Sequence, residues 1–338
     1  EEKFKKNHIV AANEGSAVGL GIGYYLSTSK IPIIYLQNSG LGNAINPLIS
    51  LSDVNVYKIP MFLIIGWRGE KSKKFIDEPQ HITQGIVTEN FLKNLGIVYN
   101  VISSKSNYKK QIKKLTAVAK KKQKVVALLI KKNTFKSKNK PQKNKEVKKL
   151  HDREKILNFI INKIPKNSIV VSTTGILSRE LNELIKKNEK KINFFMCVGG
   201  MGHAISVASG LALKQKKKVF CFDGDGAATM HLGSLSTSSK LNNIIHILFN
   251  NLSHESVGGH DNAAKHVKFY KIGKEFGYKN FYVCKSKKKL EYIIEKSIKS
   301  KYNSFIEIIL NKGHRKNISR PGRNMIELRD NFMKSIIK

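Results

Sequence analysis

The feature that most constrains this chain is an alternation, repeated along nearly its whole length, of short, uninterrupted apolar runs with longer stretches of helical period, joined by turns that carry Gly. Expected strands are Ile9–Ala12, Ile31–Gln37, Met61–Gly66, Val98–Ile102 and Val125–Ile130, with helices at Glu14–Leu26, Gly42–Leu51, Thr88–Leu95 and Tyr108–Lys122. A strand that is apolar on both faces has to be covered on both faces, which points to a parallel sheet between helical layers. From Lys131 to Lys149 the apolar period vanishes into Lys, Asn and Gln, as in a linker. A second series follows, with strands Ser168–Ser172, Phe194–Val198, Val219–Phe222, Ile244–Phe249 and Ser304–Ile309. Its helices are expected at Asp152–Lys163, Leu177–Asn188, His203–Lys214, Leu232–Lys240, Phe269–Phe276 and Lys287–Ser300. The fold class expected is α/β, in two domains at 1–132 and 151–338 around a linker at 133–150, each a mostly parallel sheet with helices on both faces.

Composition narrows the function classes. At 41% hydrophobic with 7 prolines in 338 residues the chain is too apolar for disorder, and its apolar runs are too short to span a bilayer. Glu1-Glu-Lys-Phe-Lys-Lys has no signal-peptide core, and Cys197, Cys221 and Cys284, odd in number and set in apolar runs, suit reduced thiols in a cytoplasm. The formal charge of +38 raises nucleic-acid binding. Only 7 of the 62 basic residues are Arg, however, and the lysines are scattered over helix faces. A solvated basic surface that gathers small anions is favoured over a specific nucleic-acid or membrane partner.

Open α/β sheets bind ligands at the carboxyl ends of their strands. Val219-Phe-Cys-Phe-Asp-Gly-Asp-Gly-Ala-Ala228 runs an apolar strand into Gly224 and Gly226 around Asp225. The glycines let backbone N–H groups approach a phosphate, but Asp225 has the wrong sign for one unless a cation lies between them, as Mg²⁺ does. One helix and one strand later come Asn250 and Asn251, and the Asn251 amide oxygen suits the same cation. A nicotinamide fingerprint lacks its third glycine here. A turn with a helix-capping aspartate is the alternative, and Asp-Gly-Asp-Gly alone favours it; the added Asn-Asn places the metal-bridged diphosphate first.

Gly-Asp-Gly, then Asn-Asn with Asn251 26 positions after Asp225, resembles the signature of the thiamine-diphosphate enzyme superfamily. The resemblance implies that Asp225, the Asn251 side chain and the Ser253 carbonyl hold Mg²⁺, and that Gly224, Gly226 and Ala227 with Thr173, Thr174 and Gly175 bind the diphosphate. Val198-Gly-Gly-Met-Gly-His-Ala204 resembles the segment at the cofactor's bend. By that match Gly199 offers its carbonyl to the 4′-amino group and Met201 wedges between the two rings; a glycine turn with Met201 in the core is the other reading of that segment. Glu14, in Asn13-Glu-Gly-Ser-Ala17, stands where the family has the glutamate that activates the pyrimidine N1′. Taken alone it is a helix-start carboxylate.

Both domains carry segments similar to the phosphonopyruvate decarboxylases and their sulfopyruvate relatives. These are Ala12-Asn-Glu-Gly15, Tyr35 to Asn43, Ile65 to Glu70, Asp77 to Gly85, Asp223 to Ala227, His254 to Gly259 and Gly313 to Lys316. The likeness implies a pyrimidine-binding first domain, here lacking its first strand and helix, and a diphosphate-binding second domain. It also implies a homo-oligomer with active sites between subunits, and non-oxidative decarboxylation of a small anionic 2-oxo acid, 3-phosphonopyruvate to phosphonoacetaldehyde. Sulfopyruvate and carboligation are the alternatives, and fusion of the two domains into one chain favours phosphonopyruvate. Candidate substrate groups are His81, as proton donor, with Asn38, Ser39, Arg68 and His254. Asp77 and Glu78 either orient the His81 ring or are turn residues.

Overall fold

The computed structural model describes residues 8–70, 77–135, 153–315, 317–320, 322 and 324–337. The chain forms two compact units, divided between residues 143 and 144. The expected linker lies outside the described residues from 136 onward, as do Asp152 and Lys316. Among the described residues no helix is long and apolar enough to cross a membrane. All three cysteines are free and buried.

The first unit is built on a four-stranded parallel sheet. Its strands are β1 (Ile33–Gln37), β2 (Phe62–Gly66), β3 (Val98–Ile102) and β4 (Val126–Ile130), in the order β1-β2-β4-β3. Alternate residues of each strand face opposite layers. On one side Leu36, Leu63, Ile65, Ala127 and Leu129 meet Val18 and Ile22 of α1 (Glu14–Thr28), Ala44 of α2 (Leu41–Pro47) and Leu92 of α3 (Pro79–Asn94). On the other, Phe62, Val126 and Leu128 meet Leu115 and Ala119 of α4 (Tyr108–Lys122).

Two expectations for this unit are corrected. Ile9–Ala12 is not a strand: no described strand pairs with it, and Ile9 and Val10 are exposed, so the apolar run has neither ladder nor cover. Helix α3 begins at Pro79 rather than Thr88. Its first turns, rich in Gly and β-branched residues, have low intrinsic propensity, and tertiary packing overrides it. Gly69, at φ +69°, lies so close that a Cβ there would come within 1.8 Å of the His81 carbonyl. The Trp67 indole also donates to the Gly85 carbonyl at 3.0 Å.

The second unit holds a six-stranded parallel sheet. The strands are β5 (Ile169–Ser172), β6 (Asn193–Met196), β7 (Val219–Gly224), β8 (Ile244–Asn250), β11 (Asn280–Cys284) and β12 (Ser304–Ile309), in the order β11-β12-β8-β7-β5-β6. One face packs on α5 (Arg153–Lys163), α6 (Ile176–Lys187) and α11 (Lys287–Lys299), through Leu157, Ile160, Leu181 and Ile293 against Phe220, Phe222, Ile247 and Ile306. The other packs on α7 (Ala204–Ala212), α9 (Leu235–Ser238), α10 (Phe269–Glu275) and α12 (Met325–Ile336), through Ile205, Ala208, Leu235, Phe269 and Phe332. The α/β class with helices on both faces of a parallel sheet is thus seen in each unit. Sequence reading did not find the edge strand β11, helix α12 or the small hairpin of β9 (Ser253–His254) and β10 (His260–Asp261).

Candidate active site

From β5 the chain steps outward to β6, then returns to the opposite side of β5 to form β7, so the sheet has its topological switch point between β5 and β7. Ligands of open α/β sheets lie in the crevice outside the strand ends at such a point. The two turns leaving that point are Thr173–Gly175 and Gly224–Gly226. Thr173 N–H donates to the Phe222 carbonyl at 2.9 Å, and the Thr173 methyl lies 3.9 Å from where a Gly224 Cβ would be. Gly199 N–H donates to Thr174 Oγ1 at 3.2 Å, which brings the Val198–Ala204 segment alongside. The Gly199 carbonyl accepts from Met201 N–H at 3.0 Å, and Met201 is half-buried.

Asp225 opens the short helix α8 (Asp225–Met230) and is 3% exposed. Its carboxylate accepts from Asn262 Nδ2 at 2.9 Å and faces the backbone N–H groups of Gly226 and Leu252. Burial is the stronger influence and holds its carboxyl above the usual range. Asn251 and Ser253 are buried beside it, on a turn where Leu252 takes a left-handed φ of 56° and Ser253 N–H donates to Asn251 Oδ1 at 3.2 Å. The hydroxyls of Ser172, Thr173 and Ser253 are buried without a hydrogen-bond partner. Buried polar atoms are rarely left so unless a bound group satisfies them. Together with an oxygen-only donor set from Asp225, Asn251 and the Ser253 backbone, they fit a hard divalent cation that carries an anionic group.

The β9–β10 hairpin bends over this turn. The His254 ring lies against Gly226, where a Cβ would come within 2.4 Å of its Cε1. Burial, then the neighbouring His260, keeps the His254 imidazole below its ordinary pKa. Ser256 packs 3.3 Å from the position of a Gly175 Cβ. The hairpin is anchored from below by Arg153, which is buried and donates to Glu255 Oε2 at 2.8 Å and to Glu180 Oε2 at 2.7 Å. Burial raises the Glu180 carboxyl even so close to a guanidinium.

In the first unit, Glu14 is the first residue of α1, whose N-terminus Asn13 caps by accepting from Ser16 N–H at 2.8 Å. Glu14 Oε2 accepts from Asn43 Nδ2 at 2.8 Å, and its Oε1 lies 2.1 Å from where a Gly40 Cβ would stand. Asn38 clamps the residue leaving β2: it accepts from Arg68 N–H at 2.9 Å and donates to the Arg68 carbonyl at 2.9 Å and to Thr88 Oγ1 at 2.9 Å. Ser39 donates to Gln37 Oε1 at 2.8 Å. The Arg68 guanidinium is held in two-point contact by Asp77, at 2.8 and 2.5 Å, and it keeps the Asp77 carboxyl well below the usual range. His81 is 8% exposed, and its Nδ1 meets Gln84 Oε1 at 3.0 Å. Burial lowers its pKa, only partly countered by Gln84. The ring is therefore oriented by Gln84, while Asp77 serves Arg68 instead.

The structure thus gathers Asn38, Arg68 and His81 at the ends of β1 and β2, and Thr173, Gly224 to Ala227, Asn251, Ser253 and His254 at the ends of β5, β7 and β8. Sequence reading missed Asn262, Asn43, Gly40 and Gln84. Nothing in the spacing of Asn262 from Gly258 and Gly259 marks it as the partner of Asp225. Asn43 and Gly40, by contrast, stood within the motif-like segment Tyr35–Asn43.

The C-terminal TPP binding domain of thiamine pyrophosphate enzymes matches residues 173–308. A phosphonopyruvate decarboxylase of Streptomyces viridochromogenes is 28% identical over 334 residues, covering 93% of this chain and 81% of that protein. The β subunit of a sulfopyruvate decarboxylase of Methanococcus maripaludis is 30% identical over 176 residues, covering 51% of this chain and 91% of that subunit. A sulfopyruvate decarboxylase of Methanosarcina acetivorans is 25% identical over 325 residues, covering 90% of this chain and 82% of that protein. The chain belongs to this family of thiamine pyrophosphate enzymes, the phosphonopyruvate and sulfopyruvate decarboxylases. The Methanosarcina relative spans both units of this chain, whereas the sulfopyruvate decarboxylase of Methanococcus maripaludis matches it as separate α and β subunits.

Proposed function

We propose that the protein is a carboxy-lyase that uses thiamine diphosphate and Mg²⁺ to convert 3-phosphonopyruvate into phosphonoacetaldehyde and CO₂. The observation that carries this reading is the likeness to phosphonopyruvate decarboxylase across 93% of the chain. It is supported by the partnerless buried hydroxyls around Asp225. When bound, thiamine diphosphate supplies a nucleophilic carbon and an electron sink for the loss of CO₂ from a 2-oxo acid. Asp225, Asn251 and the Ser253 carbonyl hold the metal, and Thr173, Thr174 and Gly175 with Gly224, Gly226 and Ala227 hold the diphosphate. Gly199 and Met201 set the bend between the rings. Glu14 holds a proton at the pyrimidine N1′, steadied by Asn43.

His81 delivers the proton that replaces the carboxylate. It does so as the imidazolium, returning to the neutral imidazole, and the burial that lowers its pKa makes that proton easier to release. Arg68 and His254, with Asn38 and Ser39 shaping the wall, receive the second anion, and the net positive field draws the dianionic substrate in. The first unit of one subunit works with the second unit of another, so the enzyme is a homo-oligomer in the cytoplasm.

The test supplies thiamine diphosphate and Mg²⁺ to the purified protein and compares CO₂ release from phosphonopyruvate, sulfopyruvate and pyruvate. Fastest release from phosphonopyruvate is expected. Fastest release from sulfopyruvate establishes the second reading, favoured by the Methanosarcina relative, and release from none of the three overturns both.

A further inference from the structure

Behind the metal-binding turn lies a polar cluster that the proposed chemistry does not use. Cys221 and Asp223 are two residues apart on β7 and so share a face, and His246 on β8 is the register partner of Cys221. All three are 0% exposed, and their ligand-type atoms lie within 4.8 Å of one another. Asp223 Oδ1 accepts from Gly224 N–H at 2.9 Å, fixing the residue that leads into Asp225. Its other oxygen, Oδ2, faces His246 Nε2 at 3.5 Å and has no other partner; neither ring nitrogen of His246 has a hydrogen bond. The ring is packed edge-on against Phe305 at 4.9 Å and tilted toward Tyr278.

A carboxylate and an imidazole sealed in an apolar core are each expensive to bury alone, so each constrains the other. The two strands they join are the ones that deliver Asp225 and Asn251. A second buried polar pair fixes the far side of β8, where Asn250 Nδ2 donates to Glu307 Oε1 at 2.8 Å and Glu307 Oε2 accepts from Tyr270 N–H at 3.0 Å.

We propose that the Asp223–His246 pair is a positioning device that sets the spacing of β7 and β8, and through Gly224 sets Asp225 opposite Asn251, so that metal and diphosphate are bound together. The inference rests on the reading that Asp225 and Asn251 hold the metal. The same cluster offers sulfur, oxygen and nitrogen to a zinc-class ion. Three ligands leave such an ion one short of the closed tetrahedral set of a structural site, so the pair is favoured.

The test is calorimetric titration of thiamine diphosphate into the cofactor-stripped full protein at a series of Mg²⁺ concentrations, together with metal analysis of the protein as purified. His246→Phe keeps the aromatic packing and removes the polar partner. It is expected to move the Mg²⁺ midpoint about tenfold higher, with Asp223→Asn causing a similar shift and the double variant little more, as two residues acting through one contact require. The midpoint reports the folded fraction, so partial misfolding does not imitate the shift; His246→Leu, which also removes the polar partner, serves if His246→Phe does not fold. An unchanged midpoint in His246→Phe and Asp223→Asn, or additive shifts, overturns the proposal. So does a tightly held zinc-class ion that His246→Phe releases. Asp225→Ala is the control: if it too leaves Mg²⁺ dependence unchanged, the underlying metal assignment fails, whereas its loss of binding beside an unshifted His246→Phe sinks the positioning role alone.

Discussion

Asn262 donates its side-chain amide to Asp225 Oδ2 at 2.9 Å, with both residues at most 5% exposed. One carboxylate oxygen is thereby tied to the residue that follows the β9–β10 hairpin, while the Gly226 and Leu252 N–H groups also face the carboxylate. Asn262 is itself fixed, since its Oδ1 accepts from Ala264 N–H at 2.9 Å. A hydrogen bond to a buried charge is worth about 1.5–3 kcal/mol. Asn262→Ala is therefore expected to weaken Mg²⁺-dependent binding of thiamine diphosphate roughly 10- to 100-fold, read by calorimetry. Wild-type affinity would show that the loop does not orient the metal ligand.

Burial of Asp225 has a consequence for stability with a definite sign. Its folded pKa lies above that of the unfolded chain, so between the two values the folded protein binds more protons than the unfolded one. Stability of the cofactor-free protein then declines as pH rises through that window, and above it a buried charge is retained at a cost. Asp225→Asn is expected to raise the cofactor-free Tm at pH 7.5, with the difference from wild type shrinking below the ordinary carboxylate range. Thiamine diphosphate with Mg²⁺ should raise the Tm of the wild type and not of the variant. A variant less stable than wild type at pH 7.5 would contradict the argument.

The candidate residues differ in how far sequence reveals them. Asp225 stood out only when Asn250 and Asn251, one helix and one strand later, were read with it, because a helix-capping turn accounts for Asp-Gly-Asp-Gly alone. Its setting was not legible, because Asn262 reaches it across a hairpin whose geometry no local period encodes. Arg68 read as a candidate substrate cation, and only the structure shows that Asp77, nine residues on, holds its guanidinium in two-point contact. His246 sits inside an apolar run and reads as core; only the pairing of β8 with β7 puts it beside Asp223. The strand-helix alternation identified most elements. It failed at Ile9–Ala12, where no described strand completes a ladder, and at the start of α3, where close packing on Gly69 outweighs poor helix propensity.

Glu14→Gln keeps the size of the side chain and its contact with Asn43 but cannot hold the N1′ proton in the same way. It is expected to leave cofactor affinity near wild type and to slow exchange of the thiazolium C2 proton by at least about hundredfold, measured by quenched-flow deuterium exchange. Unchanged exchange would remove Glu14 from its role.

Gly40 tests the same carboxylate from the other side. Its φ lies in a region open to any residue, at −89°, so Gly40→Ala strains no backbone. The added Cβ would stand 2.1 Å from Glu14 Oε1 and 2.5 Å from its Cγ, so the whole Glu14 side chain, and not its tip alone, must change rotamer. The variant is expected to fold normally by circular dichroism yet show slowed C2 exchange, separating the position of the carboxylate from its presence. Normal exchange in a folded Gly40→Ala would mean that Glu14 acts from a different rotamer.

Arg153 neutralises two acids with buried side chains at once, Glu180 and Glu255, and Glu255 belongs to the hairpin over the Asn251–Ser253 turn. Removing one partner of a buried ionic group leaves uncompensated charge and costs about 3–5 kcal/mol. Arg153→Met should accordingly lower the Tm by on the order of 10 °C. Since Arg153→Met leaves Glu180 without its guanidinium and Glu255 with only Gly313 N–H and His314 beside it, adding Glu180→Gln and Glu255→Gln should recover most of the loss in thermal denaturation. Cofactor affinity should stay weak in the triple variant, because the hairpin that carries Ser253 and His254 has lost its anchor to α5. Full recovery of both Tm and affinity would reduce the cluster to a stability element with no hold on the site.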